Sequence, residues 1–345
     1  MKDINTLINW SKQYEHLPWR RNRSLYRTLV SEIMLQQTTV ATVRNKFEDF
    51  LSQYPSLLDL ATDTEEKVLI AWKGLGYYRR AKNLLAAAKD INVKYSGNIP
   101  TNYDQLIAIP GIGDYTANAI LGIGDEQRVL AIDTNIERVI ARYYGLDVEK
   151  GLKLKKAILD LFEKKEILNF DVSFRLLNEA LMDLGREYCT STKAHCSACP
   201  LQTNCRSKEN PQARPVVQKV KKTIHALSLL RILIIEDNHL LCYKKTEGEW
   251  LASQWECPTF IVSSRDNLTQ YPLVSYPYED LIFFKTSITK YKISNYILPL
   301  SLKDFNRLFS WERELIKIPM FNKNNCSVAT QKAIHFFKQH GSAIA

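Results

Sequence analysis

Apolar positions recur at three- and four-residue spacing along the chain up to about residue 206, the pattern of helices that each bury one face. Ile4–Tyr14 reads as an amphipathic helix, broken by His16-Leu17-Pro18-Trp19-Arg20 and followed by a basic loop with Arg21 and Arg23. The same spacing predicts helices at Tyr26–Gln36, Val40–Leu51, Glu65–Ala71, Arg79–Tyr95, Tyr103–Ala108, Tyr115–Leu121, Ile136–Tyr144, Leu152–Phe162 and Phe174–Leu184. Nearly every gap carries Gly, Pro, Asn, Asp or Thr, which stop helices or turn the chain. From Ser207 the character changes. Lys208-Glu209-Asn210-Pro211-Gln212-Ala213-Arg214-Pro215 is polar and Pro-punctuated, as linkers are. Beyond it, stretches rich in Ile, Leu and Tyr predict strands at Ala226–Ile235, His239–Lys244, Phe260–Ser263 and Ile288–Ile297, with helices at Leu302–Leu308 and Val328–His340. The pattern divides the chain into a helical domain over 1–206, a linker over 207–223 and an α+β domain over 224–345. A length of 345 residues is enough for two cores.

Composition adds a class and a partner. With 45% hydrophobic and 24% charged residues the chain reads as globular, not disordered or fibrous. Lys and Arg number 47 against 37 Asp and Glu, a formal charge of +10 that favours a polyanionic partner. Met1-Lys2-Asp3-Ile4-Asn5 does not resemble a signal peptide, and no apolar run is long enough to span a bilayer. A cytoplasmic location without a membrane partner is therefore expected, nucleoid-associated in a bacterium. In a reducing compartment, seven cysteines point to a metal site before a disulfide framework.

Three constellations could carry chemistry. Leu106-Ile107-Ala108-Ile109-Pro110-Gly111-Ile112-Gly113-Asp114-Tyr115-Thr116-Ala117 reads as a short helix, a tight hairpin and a second helix. Pro110 ends the first helix for lack of an N–H, Gly111 and Gly113 permit positive φ, and Ile112 can plug the hairpin into the core. The N–H groups converging at the second helix would suit a phosphate at Gly111 and Gly113, although a plain helix–helix turn is the simpler reading of these residues alone. Downstream, the apolar run Val129-Leu130-Ala131-Ile132 ends in Asp133, a carboxylate placed to cap the next helix. Hairpin and carboxylate together resemble the helix-hairpin-helix DNA glycosylases. Cys189, Cys196, Cys199 and Cys205, spaced C-x6-C-x2-C-x5-C, could close round one soft metal centre, zinc being one reading. Their spacing resembles the [4Fe–4S] loop of the endonuclease III and adenine glycosylase superfamily, which implies a structural cluster rimmed by Lys193, His195 and Arg206. Cys242, Cys257 and Cys326 are expected to be half-buried thiols.

Ser31-Glu32-Ile33-Met34-Leu35-Gln36-Gln37-Thr38 sets a carboxylate in an otherwise apolar helix. By itself Glu32 would be a solvated or salt-bridged residue. The octet is similar to the catalytic helix of the MutY family of adenine DNA glycosylases, as are Trp19-Arg20, Gly74-Leu75-Gly76-Tyr77-Tyr78-Arg79 and Asn178-Glu179-Ala180-Leu181. With the hairpin, Asp133 and the cysteines, the resemblance runs through residues 18 to 205.

That resemblance implies a monofunctional, monomeric glycosylase acting on double-stranded DNA, removing adenine mispaired with 8-oxoguanine or guanine. Adenine leaves poorly as an anion, so Glu32 would protonate it, its pKa raised by a partly desolvated site. Asp133, kept ionised by its helix N-terminus, would stabilise the oxocarbenium-like sugar. The base must be flipped out; Trp19, Arg20, Gln37 and Glu179 would line its pocket, with Tyr77 wedged into the stack. Tyr115 takes the hairpin position where endonuclease III-type enzymes carry a Schiff-base lysine, which favours glycosylase activity without strand cleavage and makes it the third candidate at the reacting centre. Thr134 departs from the Gly that many adenine glycosylases carry after the Asp and agrees with the endonuclease III branch, whereas Asn135 agrees with the adenine branch. The expected fold is a mainly α helix-hairpin-helix glycosylase domain with a [4Fe–4S] loop, plus a C-terminal α+β Nudix-like domain. In that second domain Trp255-Glu256-Cys257-Pro258 stands near the usual W-E-x-P segment, and the acidic hydrolase box is absent. The domain would read the base opposite adenine. Ile288, Thr289 and Lys290 are the counterpart of a Phe-Ser-His strand-turn that contacts 8-oxoguanine in many family members. An endonuclease III-like glycosylase for oxidised pyrimidines is disfavoured by Tyr115 and the second domain. A non-catalytic damage-binding protein is disfavoured by the presence of both Glu32 and Asp133.

Overall fold

In the computed structural model, which describes residues 1, 3–164, 172–215, 223–264, 266, 268–320 and 325–340, most helices of the first unit start where a short polar side chain can cap them. Ser24 accepts from the Arg27 amide to open Leu25–Leu35, Asn102 caps Tyr103–Ile107, and Ser173 caps Phe174–Glu187. Asp133 opens Thr134–Tyr144 by accepting from the amides of Asn135 and Ile136. Helix Leu57–Thr62, absent from the spacing analysis, carries a full capping box in which Ser56 and Asp59 bond reciprocally. The stretch expected as one helix over Val40–Leu51 is two, Val40–Arg44 and Phe47–Gln53. Val40, Thr42 and Val43 are β-branched and hold a helix weakly, and Asn45 ends the first piece. The N-terminal helix is α only over Ile4–Ser11 and tightens to a 3-10 turn at Lys12–Tyr14.

The chain divides into two compact units, Met1–Lys219 and Val220–Ala345. In the first, Ile4 and Leu7 of the N-terminal helix join Ile136, Val139 and Ile140 of Thr134–Tyr144 and Leu177, Leu181 and Leu184 of Phe174–Glu187 in one buried cluster. After the hairpin, the helix expected at Tyr115–Leu121 is α over Asp114–Ala119 and widens to a π turn at Ile120–Gly124. Gly122 in that turn packs closely, since a Cβ there would stand 2.7 Å from the Val129 carbonyl oxygen. Buried Asn178 donates to that carbonyl at 3.0 Å and accepts from the Ala131 amide at 2.8 Å, fixing the run that delivers Asp133. The segment expected as the start of the linker is packed on this unit, with Arg142 donating to the Arg214 carbonyl at 2.9 Å and to Gln212 at 3.0 Å. Positions 216–222 of that linker, and 341–345 at the end of the second domain, lie outside the described residues.

The second unit is α+β. One sheet orders Thr259–Ser264, His225–Leu233, Tyr291–Pro299 and Phe283–Ile288, with the middle pair parallel and the outer pairings antiparallel. A second small sheet is built on His239–Lys244, flanked by Ile235–Glu236, Trp255–Glu256 and Ile316–Pro319. Helices Leu302–Leu308 and Val328–His340 complete the unit. The strand expected over Ile288–Ile297 runs over Tyr291–Pro299; Ile288 ends the strand before it, and the strand-turn expected at Ile288, Thr289 and Lys290 is the hairpin turn that joins the two, with Thr289 at φ +50°. Cys242, Cys257 and Cys326 are buried, not half-buried as expected. Glu256 is also buried, held by Arg231 at 2.8 Å and Lys245 at 2.6 Å.

Candidate active site

The first unit contains a cleft of about 1110 Å³, and the helix Leu25–Leu35 forms one of its walls. That helix leaves carbonyls unpaired at its C-terminal end, as every helix does. Buried Arg80 satisfies two of them, donating to Ile33 O at 2.8 Å and Met34 O at 2.7 Å, and also to Leu75 O at 2.9 Å. Arg80 thereby ties the end of the helix to the loop that precedes Tyr77. Residue spacing carries no sign of this role, because the helix carbonyls it meets lie more than forty positions away.

Glu32 projects from this helix into the cleft and is only 5% exposed. Tyr115, at the start of the second hairpin helix, donates its phenolic hydrogen to Glu32 Oε2. Burial pushes the Glu32 carboxyl up to about 7; the nearby Asp133 and Glu179 add to the rise, while the Tyr115 hydrogen bond and the Arg20 charge oppose it. The pocket also raises the Tyr115 phenol, burial being the chief cause and Glu32 the next. Asp133 lines the same cleft. Its Oδ1 accepts from the amides of Asn135 at 2.8 Å and Ile136 at 2.7 Å, and its Oδ2 from Asn135 Nδ2 at 2.8 Å. Burial nonetheless raises the Asp133 carboxyl above its ordinary value, with those hydrogen bonds opposing the shift, so the helix N-terminus limits the cost of the charge without depressing its pKa. The network continues from Asn135 to Arg138, at 2.8 Å from Nη2, and from Arg138 to the carbonyl of Cys189.

Trp19, Arg20, Gln37, Gly111, Gly113 and Glu179 line the cleft with Glu32, Tyr115 and Asp133. Trp19 is buried edge-on against Phe47, and Gln37 sits just past the helix at φ +55°. Gly111 needs its φ of +82°, and a Cβ there would stand 2.7 Å from Asn83 Cβ. Gly113, by contrast, is extended at φ −96° with open space around it, so the expected positive φ is not used. Asp114, the first residue of the short hairpin helix, pairs with Lys155, which offsets its charge beside the cleft. Tyr77 does not line the cleft; it stands 57% exposed at φ +44°, with the Arg80 guanidinium 5.5 Å from its ring centre.

The polar wall holds more residues than the sequence patterns singled out. The Arg20 fork bonds Asp183 at 2.9 and 3.0 Å, and the Arg23 fork bonds Glu179. Glu179 and Asp183 lie four positions apart on one helix, so their shared face was legible as spacing, but their arginine partners were not.

The four cysteines of the loop line a second, small cavity together with Arg142 and His195. Arg142 donates to Cys189 Sγ at 3.4 Å and to the Thr190 carbonyl at 2.8 Å. Among the described residues no three His, Cys, Asp or Glu side chains converge closely enough to hold a single metal ion. Four thiol donors around one small cavity are a set whose chemistry fits an iron–sulfur centre.

Ile288, Thr289 and Lys290 belong to the second unit. Ile288 packs partly against a buried cluster, and Thr289 is exposed in the turn. Lys290 is half exposed and pairs with Asp266 at 3.0 Å, an oxygen that also accepts from Tyr291 at 2.7 Å and stands 3.2 Å from His225.

Residues 30–164 match the HhH-GPD superfamily of base excision DNA repair proteins. The adenine DNA glycosylase of Buchnera aphidicola subsp. Acyrthosiphon pisum is 34% identical over 247 residues, covering 70% of each chain. The adenine DNA glycosylase of Homo sapiens is 34% identical over 214 residues, 59% of this chain and 39% of the human protein. Among solved structures, a thermostable thymine-DNA glycosylase superposes with a TM-score of 0.52 at 27% identity, covering 60% of this chain and 94% of that one.

Proposed function

The chain belongs to the adenine DNA glycosylase family, and on that premise we propose that it excises adenine mispaired with 8-oxoguanine or guanine from double-stranded DNA, as a monofunctional enzyme and a monomer. The observation that carries this reading is a protonatable Glu32 facing the same cleft as the capped carboxylate of Asp133. Near neutral pH, Glu32 retains a proton it can give to the flipped adenine. The glycosidic bond then breaks with its electron pair going to the base, and the sugar becomes an oxocarbenium-like cation. Asp133 faces that charge with a carboxylate already aligned by Asn135 and the helix amides, so little reorganisation is needed as the charge develops. Water completes the hydrolysis.

Tyr115 orients Glu32 through its hydroxyl. A phenol cannot form a Schiff base, which supports base release without strand cleavage. Trp19, Arg20, Gln37 and Glu179 form the walls of the adenine pocket, exposed Tyr77 enters the base stack, and the amides around Gly111 and Gly113 take the DNA phosphate. The glycosylase domain is 1–206; the domain over 224–345 reads the opposite base through Ile288, Thr289 and Lys290. Cys189, Cys196, Cys199 and Cys205 would hold a [4Fe–4S] cluster. When bound, it cross-links the loop, while Arg142 and Arg138 join that loop to the helix capped by Asp133. Iron and sulfide in about a four-to-four ratio per chain is expected; a colourless protein with stoichiometric zinc would refute the cluster.

A single-turnover base-release assay on duplexes with adenine opposite each of the four normal bases and 8-oxoguanine tests the function. Release is expected opposite 8-oxoguanine and guanine, without a borohydride-trapped covalent adduct. Release from none of the duplexes would overturn the reading.

A further inference from the structure

The part of Arg20 that faces the cleft is decided by a residue from a distant helix. The Arg20 side chain is 6% exposed and that of Asp183 1%, so both charges lie almost wholly out of water. Nη1 donates to Asp183 Oδ2 at 2.9 Å and Nη2 to Oδ1 at 3.0 Å, the parallel two-bond geometry that holds a guanidinium in one plane. Asp183 is held in turn: Ser11 donates to its Oδ2 at 2.5 Å, and Arg186 approaches its Oδ1 at 3.2 Å. With the fork committed, the Nε–H of Arg20 remains. It is buried and makes no hydrogen bond, its carboxylate neighbour Glu179 Oε1 standing 3.6 Å away. Glu179 is itself held by Arg23. A buried donor without an acceptor costs about 1–3 kcal/mol, a cost that an acceptor arriving at this position would remove. Arg20 and Glu179 both line the cleft.

We propose that Asp183, locked by Ser11, is a positioning residue for base excision: it turns the Arg20 fork away from the pocket and leaves the Arg20 Nε–H as the donor to the flipped base. The inference rests on the assignment of Arg20 to the base pocket. It requires Asp183 to act only through Arg20. Replacing Asp183 should therefore cost activity only while Arg20 is present.

A double-mutant cycle on the full-length protein tests this, with single-turnover adenine release from a duplex carrying adenine opposite 8-oxoguanine. Asp183→Asn should slow release by about 10²-fold, the scale of a misplaced contact. In an Arg20→Ala background the same change should alter the rate by no more than about 2-fold. The pH profile gives a readout that general loosening of the fold would not move. Glu32 is faced by Tyr115, Asp133, Glu179 and Arg20, and Arg20 lowers its pKa. Removing the Asp183 carboxylate leaves the Arg20 charge uncompensated, so the alkaline limb of release should move to lower pH. If Asp183→Asn fails to fold, Ser11→Ala and Asp183→Glu replace it. Ser11→Ala should show a smaller loss that also vanishes without Arg20. Multiplying losses, or an unmoved limb in a folded variant, would overturn the inference. A wild-type protein that releases no adenine would instead overturn the functional reading, and this inference with it.

Discussion

Glu32 in the first unit and Glu256 in the second are both carboxylates sealed from water, 5% and 1% exposed, and they are driven in opposite directions. Burial by itself raises either one, because the anion loses its hydration. At Glu32 the hydrogen-bond donor is the neutral phenol of Tyr115, and the carboxyl rises to about 7. At Glu256, Arg231 and Lys245 outweigh burial and hold the carboxyl well below its ordinary range, with Tyr271 at 3.0 Å, Tyr243 at 3.2 Å and Ser327 at 3.4 Å also donating to it. Burial alone therefore does not mark a reactive acid. A neutral donor leaves a carboxyl able to carry a proton, whereas two cations turn it into a structural anchor.

The largest expected effect breaks the two apart. Glu32→Gln keeps the shape but removes the proton, so adenine release should fall by at least about 10²–10⁴-fold while mispair binding survives. Near-normal release would end the assignment of Glu32 as the acid. Glu256→Gln should act on the fold: stripping the anion from two buried cations should destabilise the protein by about 3–5 kcal/mol in denaturant melts. An unchanged melt would show that the second carboxylate is no anchor.

The pH dependence of stability should carry opposite signs. Between pH 4.5 and about 7 the folded protein holds a proton on Glu32 that the unfolded chain does not. Its contribution to stability is thus full below that window and declines by about 3 kcal/mol as pH rises through it. Base release should decline at the upper edge for the same reason, since the acid must be protonated. Glu256 has a depressed folded pKa, so its contribution is full above the ordinary Glu value and is lost as pH falls below it. Melting curves of the wild type and both Gln variants across pH 3–8 separate the two slopes; equal slopes would remove the contrast.

The smallest effect extends the comparison to specificity. Thr289→Ala should narrow, by a few-fold, the rate gap between adenine opposite 8-oxoguanine and adenine opposite guanine, because a hydroxyl can both donate and accept. Lys290→Ala should weaken both substrates alike and flatten the salt dependence, modestly because Asp266 already shares its charge. If neither variant changes either substrate, the opposite-base reader lies elsewhere in the second unit.

Local patterns wrote much of the fold. Capping residues and 3.6-residue spacing located most helices, and the abrupt end of an apolar run at Asp133 marked a helix start. The capping box at Ser56 and Asp59 was equally local, and could have revealed the helix it opens. The break within 40–51 was less visible, since it carries no Gly or Pro signal. In the cleft, the resemblance carried by the motifs named Glu32, Tyr115, Asp133, Arg20 and Glu179, and the structure brings all five to one space.

The sequence by itself determined which groups are present and which helices carry them, because caps, periodicity and turn residues act over a few positions. The tertiary structure alone decided their state. Glu32 is protonatable because distant segments dehydrate it and a phenol 83 positions away meets it; Glu256 is ionised because Arg231 and Lys245 fold against it. Asp183 faces Arg20 across 163 positions. Charge interactions and desolvation depend on distance in space and on the water excluded between groups, and neither is written in the spacing of residues along a chain.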